Sequence, residues 1–438
     1  MNGLLTDLYQ LTMAAGYFEA GKSREVATFE LTVRRLPPNR NFVLACGLPQ
    51  VVEYLLGLAF SDEEVEYVRT LPQFARVSPR FFEMLRGLRF TGDLFAVPEG
   101  TPVFAGEPIL TLRAPVIEAQ IPETYLLAAV AFQSLIATKA ARIVNCAGGR
   151  PVIEFGTRRA HTAEAGVLGA RAAFIGGCAG TSNTLAGFRF SVPVMGTSGH
   201  SWVMSFASET EAFRHLQKLL GDNAVQLVDT YDTLEGTRKA AALGAPLWGI
   251  RLDSGDIATL AREARKILDG AGMRSAKIMA SGDLDERKIR AFVAGGVPID
   301  AFGVGTDLAT SGDAPSMGAI YKLVELDVGG ITRYTAKLGT EKGTLPGSKQ
   351  IFRLADHDIL ARSAECCAGS EEALLQPVIL GGRLIEPLPG VHSARKRAAE
   401  GLAKLPPELQ SLDTVAPWPV RHSAELTQLV ETARRNLQ

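Results

Sequence analysis

Between residues 27 and 33 apolar and polar side chains alternate: Ala27, Phe29, Leu31 and Val33 are separated by Thr28, Glu30 and Thr32. A period of two predicts a strand with one buried face. Upstream, residues 6–20 carry the spacing of a helix, with Thr6 or Asp7 placed to cap its start and Gly21 to end it. Residues 48–87 follow a helical pattern again. Residues 92–115 hold short strands cut by Pro98, Gly100, Pro102, Gly106 and Pro108. Together these predict an N-terminal α+β domain over residues 1–118.

A long helix is predicted over 122–147, and then the texture changes. Short apolar runs recur with helical segments between them: Val152–Phe155, Ala172–Ile175, Val192–Met195, Val225–Val228, Leu247–Leu252, Lys277–Ala280, Ala301–Val304 and Ala319–Leu323. Their spacing of roughly 20 to 30 residues is that of βα units, and eight such units close a barrel. A doubly wound sheet fits the same pattern. The predicted fold class is therefore α/β, with the barrel over 119–330. After residue 330 few units are clear, although 396–412 and 423–437 read as terminal helices. Residues 331–438 are expected to form a C-terminal extension, partly packing back on the N-terminal domain.

Polar residues gather where the apolar runs end: Glu154-Phe-Gly-Thr-Arg158-Arg159, Gly180-Thr-Ser-Asn183, Gly196-Thr197-Ser-Gly-His200, Asp229-Thr-Tyr-Asp232, Arg251-Leu-Asp253-Ser-Gly-Asp256, Ser281-Gly282-Asp283 and Gly303-Val-Gly305-Thr306-Asp307. In a parallel barrel these ends share one mouth, where the active site lies. That mouth is expected to hold carboxylates, arginines, one histidine and glycine-rich turns.

Composition acts mainly by exclusion. Lys plus Arg number 46 and Asp plus Glu 47, a formal net charge of −1 over 438 residues. A nucleic-acid partner selects a strongly basic surface, and a polybasic membrane patch needs the same excess. Neither partner is expected. The first ten residues lack the basic start of a secretory signal. The most apolar long stretch, Tyr125 to Ile136, is broken by Gln133 and is shorter than the ~20 residues of a membrane span. Cys46, Cys146, Cys178, Cys366 and Cys367 are odd in number and form no C-x-x-C. Reduced thiols in a cytoplasm are expected, with no disulfide framework or zinc set. The 44 glycines suit tight loops over a ligand.

Gly16-Tyr-Phe-Glu-Ala-Gly21-Lys22-Ser23 matches the P-loop spelling, but a helix runs into it and a strand leaves it. A phosphate cradle needs the reverse order, so Gly21 reads as a helix end. Gly303-Val-Gly305-Thr306 follows a strand, and its bare backbone suits an anion. Arg251 and Asp253 are two apart and point the same way on an extended backbone. They could hold a sugar diol, a carboxylate or Mg2+, while Asp256 could equally cap a helix. His200, beside Gly199, fits a general base or a covalent nucleophile. Arg158 and Arg159 suit phosphate or carboxylate, or ion pairs with Glu154 or Glu164. The residues alone describe a barrel enzyme for a phosphorylated, anionic small molecule; a non-catalytic nucleotide-binding barrel remains the alternative.

Seven blocks carry a more specific likeness: Leu5-Thr-Asp7-Leu-Tyr9-Gln, Glu154-Phe-Gly-Thr-Arg-Arg159, Gly196-Thr-x-x-His200-Ser, Asp229-Thr-Tyr-Asp232, Arg251-Leu-Asp-Ser-Gly-Asp256, Phe302-Gly-x-Gly-Thr306 and Leu345-Pro-Gly-Ser-Lys349. In this order they resemble nicotinate phosphoribosyltransferase, from about residue 4 to 353, with a weak match beyond. The resemblance implies a type II phosphoribosyltransferase: an α/β domain beside an irregular α/β barrel. It implies that nicotinate and phosphoribosyl pyrophosphate give nicotinate mononucleotide and pyrophosphate, coupled to ATP hydrolysis, with Mg2+, in a homodimer with shared active sites. By the same resemblance, Tyr9 stacks on the pyridine ring from the partner subunit and Phe155 on its other face. Thr197 and Arg251 line the nicotinate site, and Arg158 lies near a substrate carboxylate or phosphate. Asp253 and Asp229 stand near the ribose, and Gly282, Asp283, Gly303, Gly305 and Thr306 cradle phosphate. His200 is the histidine phosphorylated by ATP.

The nicotinamide-specific relative resembles the chain in the same blocks and is the alternative. It carries an acid in the Gly-Thr loop, where this chain has Gly180-Thr181-Ser182-Asn183, and a glycine where Arg159 stands. An acid there would repel a carboxylate, so its absence points to nicotinate.

Overall fold

The computed structural model describes residues 3–337, 343–366 and 372–437. The chain forms two compact units. The first gathers Met1–Leu135, Ser316–Pro389 and Glu400–Gln438; the second is Ile136–Pro315 with Gly390–Ala399. These divisions differ from those expected at 118/119 and 330/331. The first division falls inside the helix Glu123–Cys146, between Leu135 and Ile136, and the strand Gly318–Val328 belongs to the first unit's sheet.

That sheet has seven antiparallel strands in the order Ile331–Tyr334, Gly318–Val328, Val26–Arg35, Pro108–Pro115, Asp93–Ala96, Gln376–Leu380, Arg383–Leu384. Val26–Arg35 lies inside it, paired from Val26 opposite Asp327 to Arg35 opposite Gly318, with register shifts after Thr28 and after Val33. Alternation predicts one buried face for this strand, yet Thr28 and Glu30 are buried too. Thr28 donates to Glu325 at 3.0 Å. Glu30 pairs with Lys349 Nζ at 2.7 Å and accepts from the Lys349 backbone at 2.8 Å. Lys349 closes the Leu345-Pro-Gly-Ser-Lys349 block, so that block ties a late strand to an early one.

The predicted 6–20 helix is Leu8–Glu19. The 48–87 region holds three helices, Leu48–Leu56, Asp62–Thr70 and Pro79–Gly87. Ser61 and Glu64 close a capping box on the second. Gly21, at φ +71°, follows the end of the first helix, so the P-loop spelling lies on a helix C-terminus. Val116–Cys146 is long and apolar enough to cross a membrane by length and composition, and so exceeds the shorter apolar stretch expected. It is mostly buried in protein and carries buried Lys139 and Arg142, the marks of a core helix.

The second unit is built on six parallel strands in the order Gly180–Thr181, Val152–Glu154, Ala301–Val304, Lys277–Ala280, Gly249–Leu252, Val225–Leu227. A parallel bridge from Thr181 to Val194 adds a seventh position. Taken around the ring, the strands follow chain order from 152 to 301 and back to 152. Among the described residues no pairing joins Val194 to Val225–Leu227, and this seam makes the barrel irregular.

Two of the eight predicted strands are corrected. Ala172–Ile175 lies in the helix Ala163–Ile175, whose last nine residues include only one, Leu168, that is not fully buried. A helix apolar all round cannot be told from a buried strand by a short run. Ala319–Leu323 belongs to the first unit's antiparallel sheet. The strand Gly180–Thr181, too short for an apolar run, was not predicted. The predicted 396–412 helix is Val391–Lys404 followed by a 3-10 turn at Pro407–Gln410, and 423–437 is Ala424–Leu437. Arg395 donates to the carbonyls of Phe174 and Gly177, each at 2.9 Å, and of Cys178. It thereby caps the end of the helix Ala163–Ile175. Cys46, Cys146 and Cys178 are buried free thiols and Cys366 is exposed; Cys367 lies outside the described residues.

Candidate active site

The strand Gly249–Leu252 delivers Arg251 to the mouth of the barrel, and its guanidinium organises the site. Nε donates to Ser281 Oγ at 2.8 Å, one terminal nitrogen to Thr197 Oγ1 at 2.6 Å, and the other to Asp253 Oδ1 at 2.8 Å. The same cation stands 5.8 Å from the centroid of the Phe155 ring. One arginine therefore joins the ends of four strand–loop segments.

Asp253 receives a second bond on Oδ1, from Ser281 Oγ at 2.5 Å. Burial works to raise its carboxyl, but hydrogen bonds from Arg251 and Ser281, with the Arg251 charge, outweigh it. The group is held below the usual carboxylate range. Its other oxygen lies 3.8 Å from His200 Nε2. His200 opens the short helix His200–Met204, its Nδ1 is 3.2 Å from Thr230 Oγ1, and its side chain is 42% exposed. The imidazole is thus held at one nitrogen and open at the other.

Asp229 shapes the loop after Leu252. Its Oδ2 accepts from Ser254 Oγ at 2.6 Å and from the Asp253 backbone at 3.2 Å. Its Oδ1 is buried without a partner, as is Ser198 Oγ. Gly282 has φ +85°, and a Cβ there would lie 1.8 Å from Asp253 O. Only glycine lets this turn approach the carboxylate loop so closely. Asp283 follows with φ +46°.

The Gly303–Thr306 turn joins the last barrel strand to the helix Thr306–Thr310. A Cβ on Gly303 would meet the Phe155 ring at 2.5 Å, whereas one on Gly305 would find ordinary contacts. Gly303 therefore makes room for the aromatic ring, and Gly305 keeps the backbone open beside it. Gly303→Ala should push the Phe155 ring aside. We expect the KM of the substrate that binds against this ring to rise by about tenfold, the scale of a small misplacement. Steady-state kinetics with each substrate varied in turn checks it.

Glu154 was a candidate partner for the arginines. It is buried instead, and accepts from the Gly156 backbone and from Thr181 Oγ1 at 2.5 Å. Burial pushes its carboxyl up. Glu164 pairs with Arg189 at 2.9 Å. Arg158 and Arg159 are exposed on the turn Thr157–Arg159. Asp256 caps the helix Ile257–Gly270 through Thr259. Tyr9 stands in the other unit, on the helix Leu8–Glu19, 48% exposed. The sequence assigned no role to Ser281 or Thr230, and offered Ser254 only as a helix cap, whereas its hydroxyl donates to Asp229. Ser281 opens a strand-end block, and that position was the available signal.

An α/β barrel with one open seam, with carboxylates and a glycine-rich turn at its strand ends, is a type II phosphoribosyltransferase fold. Residues 4–131 match the nicotinate phosphoribosyltransferase (NAPRTase) N-terminal domain and 346–430 its C-terminal domain. Residues 136–314 match the quinolinate phosphoribosyl transferase C-terminal domain. A nicotinate phosphoribosyltransferase of Mycobacterium tuberculosis is 42% identical over 433 residues, covering 96% of this chain and 91% of that one. One from Bacillus subtilis is 46% identical over 360 residues, covering 80% and 73%. The crystal structure of human nicotinic acid phosphoribosyltransferase superposes with a TM-score of 0.83 at 31% identity, covering 98% and 100%. The chain belongs to the nicotinate phosphoribosyltransferase family and is an enzyme.

Proposed function

We propose that this enzyme forms nicotinate mononucleotide and pyrophosphate from nicotinate and phosphoribosyl pyrophosphate, in NAD salvage. The observation that carries the reading is Arg251, set against the Phe155 face within reach of Asp253. An aromatic face and a fixed guanidinium suit an aromatic carboxylate. Attack of the pyridine nitrogen on the anomeric carbon breaks the bond to pyrophosphate. Positive charge builds on the ribose, where Asp253 stays ionised, and negative charge leaves on pyrophosphate. The backbone N–H groups of the Gly303–Thr306 turn, with Arg158 and Arg159, would receive the latter.

Asp229 and Asp253 fit a Mg2+ held chiefly by substrate phosphates, since Asp229 Oδ1 is buried and unpartnered. Among the described residues no group of three His, Cys, Asp or Glu side chains could hold a metal alone. Bound Mg2+ would neutralise charge on the departing pyrophosphate.

The acid is favoured over the amide. An amide NH2 needs an acceptor in the Gly-Thr loop, but Thr181 donates to Glu154, and Asn183 is spent on Ala186 and Thr157. The Glu154 oxygens are likewise engaged.

ATP enters at His200. Its Nε2 attacks the γ-phosphorus, forming the N–P bond and releasing ADP, while Thr230 holds Nδ1. A phosphoryl group would add about −1.5 to −2 charge at this mouth, by analogy with other phosphoryl side chains. His200→Ala is expected to keep ATP-independent turnover and lose the gain with ATP. Initial rates with and without ATP check this, and full ATP stimulation in the variant would end the assignment. Leu5, Leu8, Tyr9 and Met13 expose an apolar surface at the N-terminus, which supports a homodimer in which Tyr9 reaches the partner's site. Reduced thiols support a cytoplasmic setting.

The decisive assay supplies phosphoribosyl pyrophosphate with nicotinate or nicotinamide. Product from nicotinate supports the reading, and product only from nicotinamide overturns it.

A further inference from the structure

A buried charge cluster adjoins the glycine-rich turn, and the chemistry above does not use it. Lys139 is 1% exposed. Its Nζ lies 2.5 Å from Glu286 Oε2, 2.5 Å from Asp307 Oδ2 and 3.0 Å from Asp313 Oδ1. Arg142 Nε donates to Glu286 Oε1 at 3.2 Å. The ammonium donates to Glu286 and to Asp313, and Asp307 is held beside it as an ion pair. Asp307 directly follows Thr306, and Asp313 lies just past the helix Thr306–Thr310. Gly312 N donates to Asp307 O at 3.0 Å, closing the segment between them. One side chain therefore holds both ends of the segment that leaves the turn.

We propose that Lys139 is a positioning residue for phosphoribosyl pyrophosphate: by gripping Asp307 and Asp313 it fixes the Gly303–Thr306 turn where its backbone N–H groups meet phosphate. The inference rests on the function proposed above. Buried ion pairs are poor stabilisers compared with apolar packing, so stability alone does not account for this one. What an ammonium among three oxygens supplies is direction. Only Gly305 links the strand Ala301–Val304 to the helix Thr306–Thr310, and a glycine link has excess freedom. Freedom that must be lost on binding weakens binding, and an anchor beside the turn removes it beforehand.

The cluster sets two cations, Lys139 and Arg142, against three carboxylates. Lys139→Met takes the ammonium from all three acids, leaving Glu286 to Arg142 alone, and can fail to fold. Asp307→Ala leaves two cations facing two carboxylates, and is the variant to use. Its thermal midpoint is measured beside the parent's. We expect phosphoribosyl pyrophosphate binding by calorimetry to weaken by about tenfold or more, the scale of a small misplacement. The KM for nicotinate should change less than about twofold, within the context-dependence of such effects. Asp307→Asn, which can still accept from Lys139, should restore part of the loss. Unchanged phosphoribosyl pyrophosphate affinity in Asp307→Ala, or equal weakening for both substrates, would overturn the proposal. If the parent binds phosphoribosyl pyrophosphate but turns over no nicotinate, the functional reading fails while the variant comparison still decides the role of Lys139. If the parent does not bind it, both fall.

Discussion

Replacing Asp253 with asparagine is expected to lower kcat with nicotinate by about 10²–10³-fold while leaving the fold intact, the scale of losing one charge-stabilising group. The amide oxygen can still accept from Arg251 and Ser281, so the local hydrogen bonds survive. Its NH2 then faces His200, and on the proposed mechanism the charge that Asp253 sets against the developing oxocarbenium ion is gone. The loss should therefore fall on kcat and kcat/KM together, the pattern of an interaction made mainly in the transition state. Single-turnover rates with circular dichroism of the variant check both parts. The pH profile adds a sign. Because the Asp253 carboxyl is depressed, its acid limb should lie below the ordinary value of about 3.9. Ser281→Ala removes one of the bonds that depress it, and the limb should move to higher pH.

Lys349→Met is expected to destabilise the protein by about 3–5 kcal/mol, the cost of leaving a buried charge unpaired. Glu30 is 2% exposed, and burial already pushes its carboxyl up against the opposing pull of Lys349. Without the ammonium, the folded-state pKa rises further above the unfolded value of about 4.3. A carboxyl raised on folding favours the native state below the unfolded pKa, and that contribution is lost as pH rises through the folded one. The deficit of the variant should thus be largest at neutral pH and shrink toward pH ~4. Adding Glu30→Gln should recover part of it at pH 7. Urea melts at several pH values test this, and a deficit independent of pH would show that Glu30 is not its source.

Much of the site is legible in the sequence because it consists of short strands with polar ends. Arg251 and Asp253 are two residues apart on a strand, so their shared direction follows from the pleat, and the 2.8 Å bond between them realises it. The strand-end blocks lie at one mouth because parallel strands can end only on one side of a ring. The role of Gly303 was only partly legible. A glycine beside a phosphate turn suggests close approach of an anion, but its neighbour here is the Phe155 ring, brought over by strand pairing.

The sequence by itself determined the alternation of strand and helix, the grouping of charge at strand ends and the family likeness, since each rests on local spacing and order. Only the tertiary structure decided which apolar runs are strands. Ala172–Ile175 became helix and Ala319–Leu323 left the barrel, because burial on all sides erases the period that would tell them apart. It alone assigned partners to charges far apart in the chain. Lys139 reads as one of two cations in an apolar helix, and Glu30 as the polar step of an alternating strand. What they do depends on carboxylates and an ammonium more than a hundred residues away, and a buried charge takes its meaning from whatever folding places beside it.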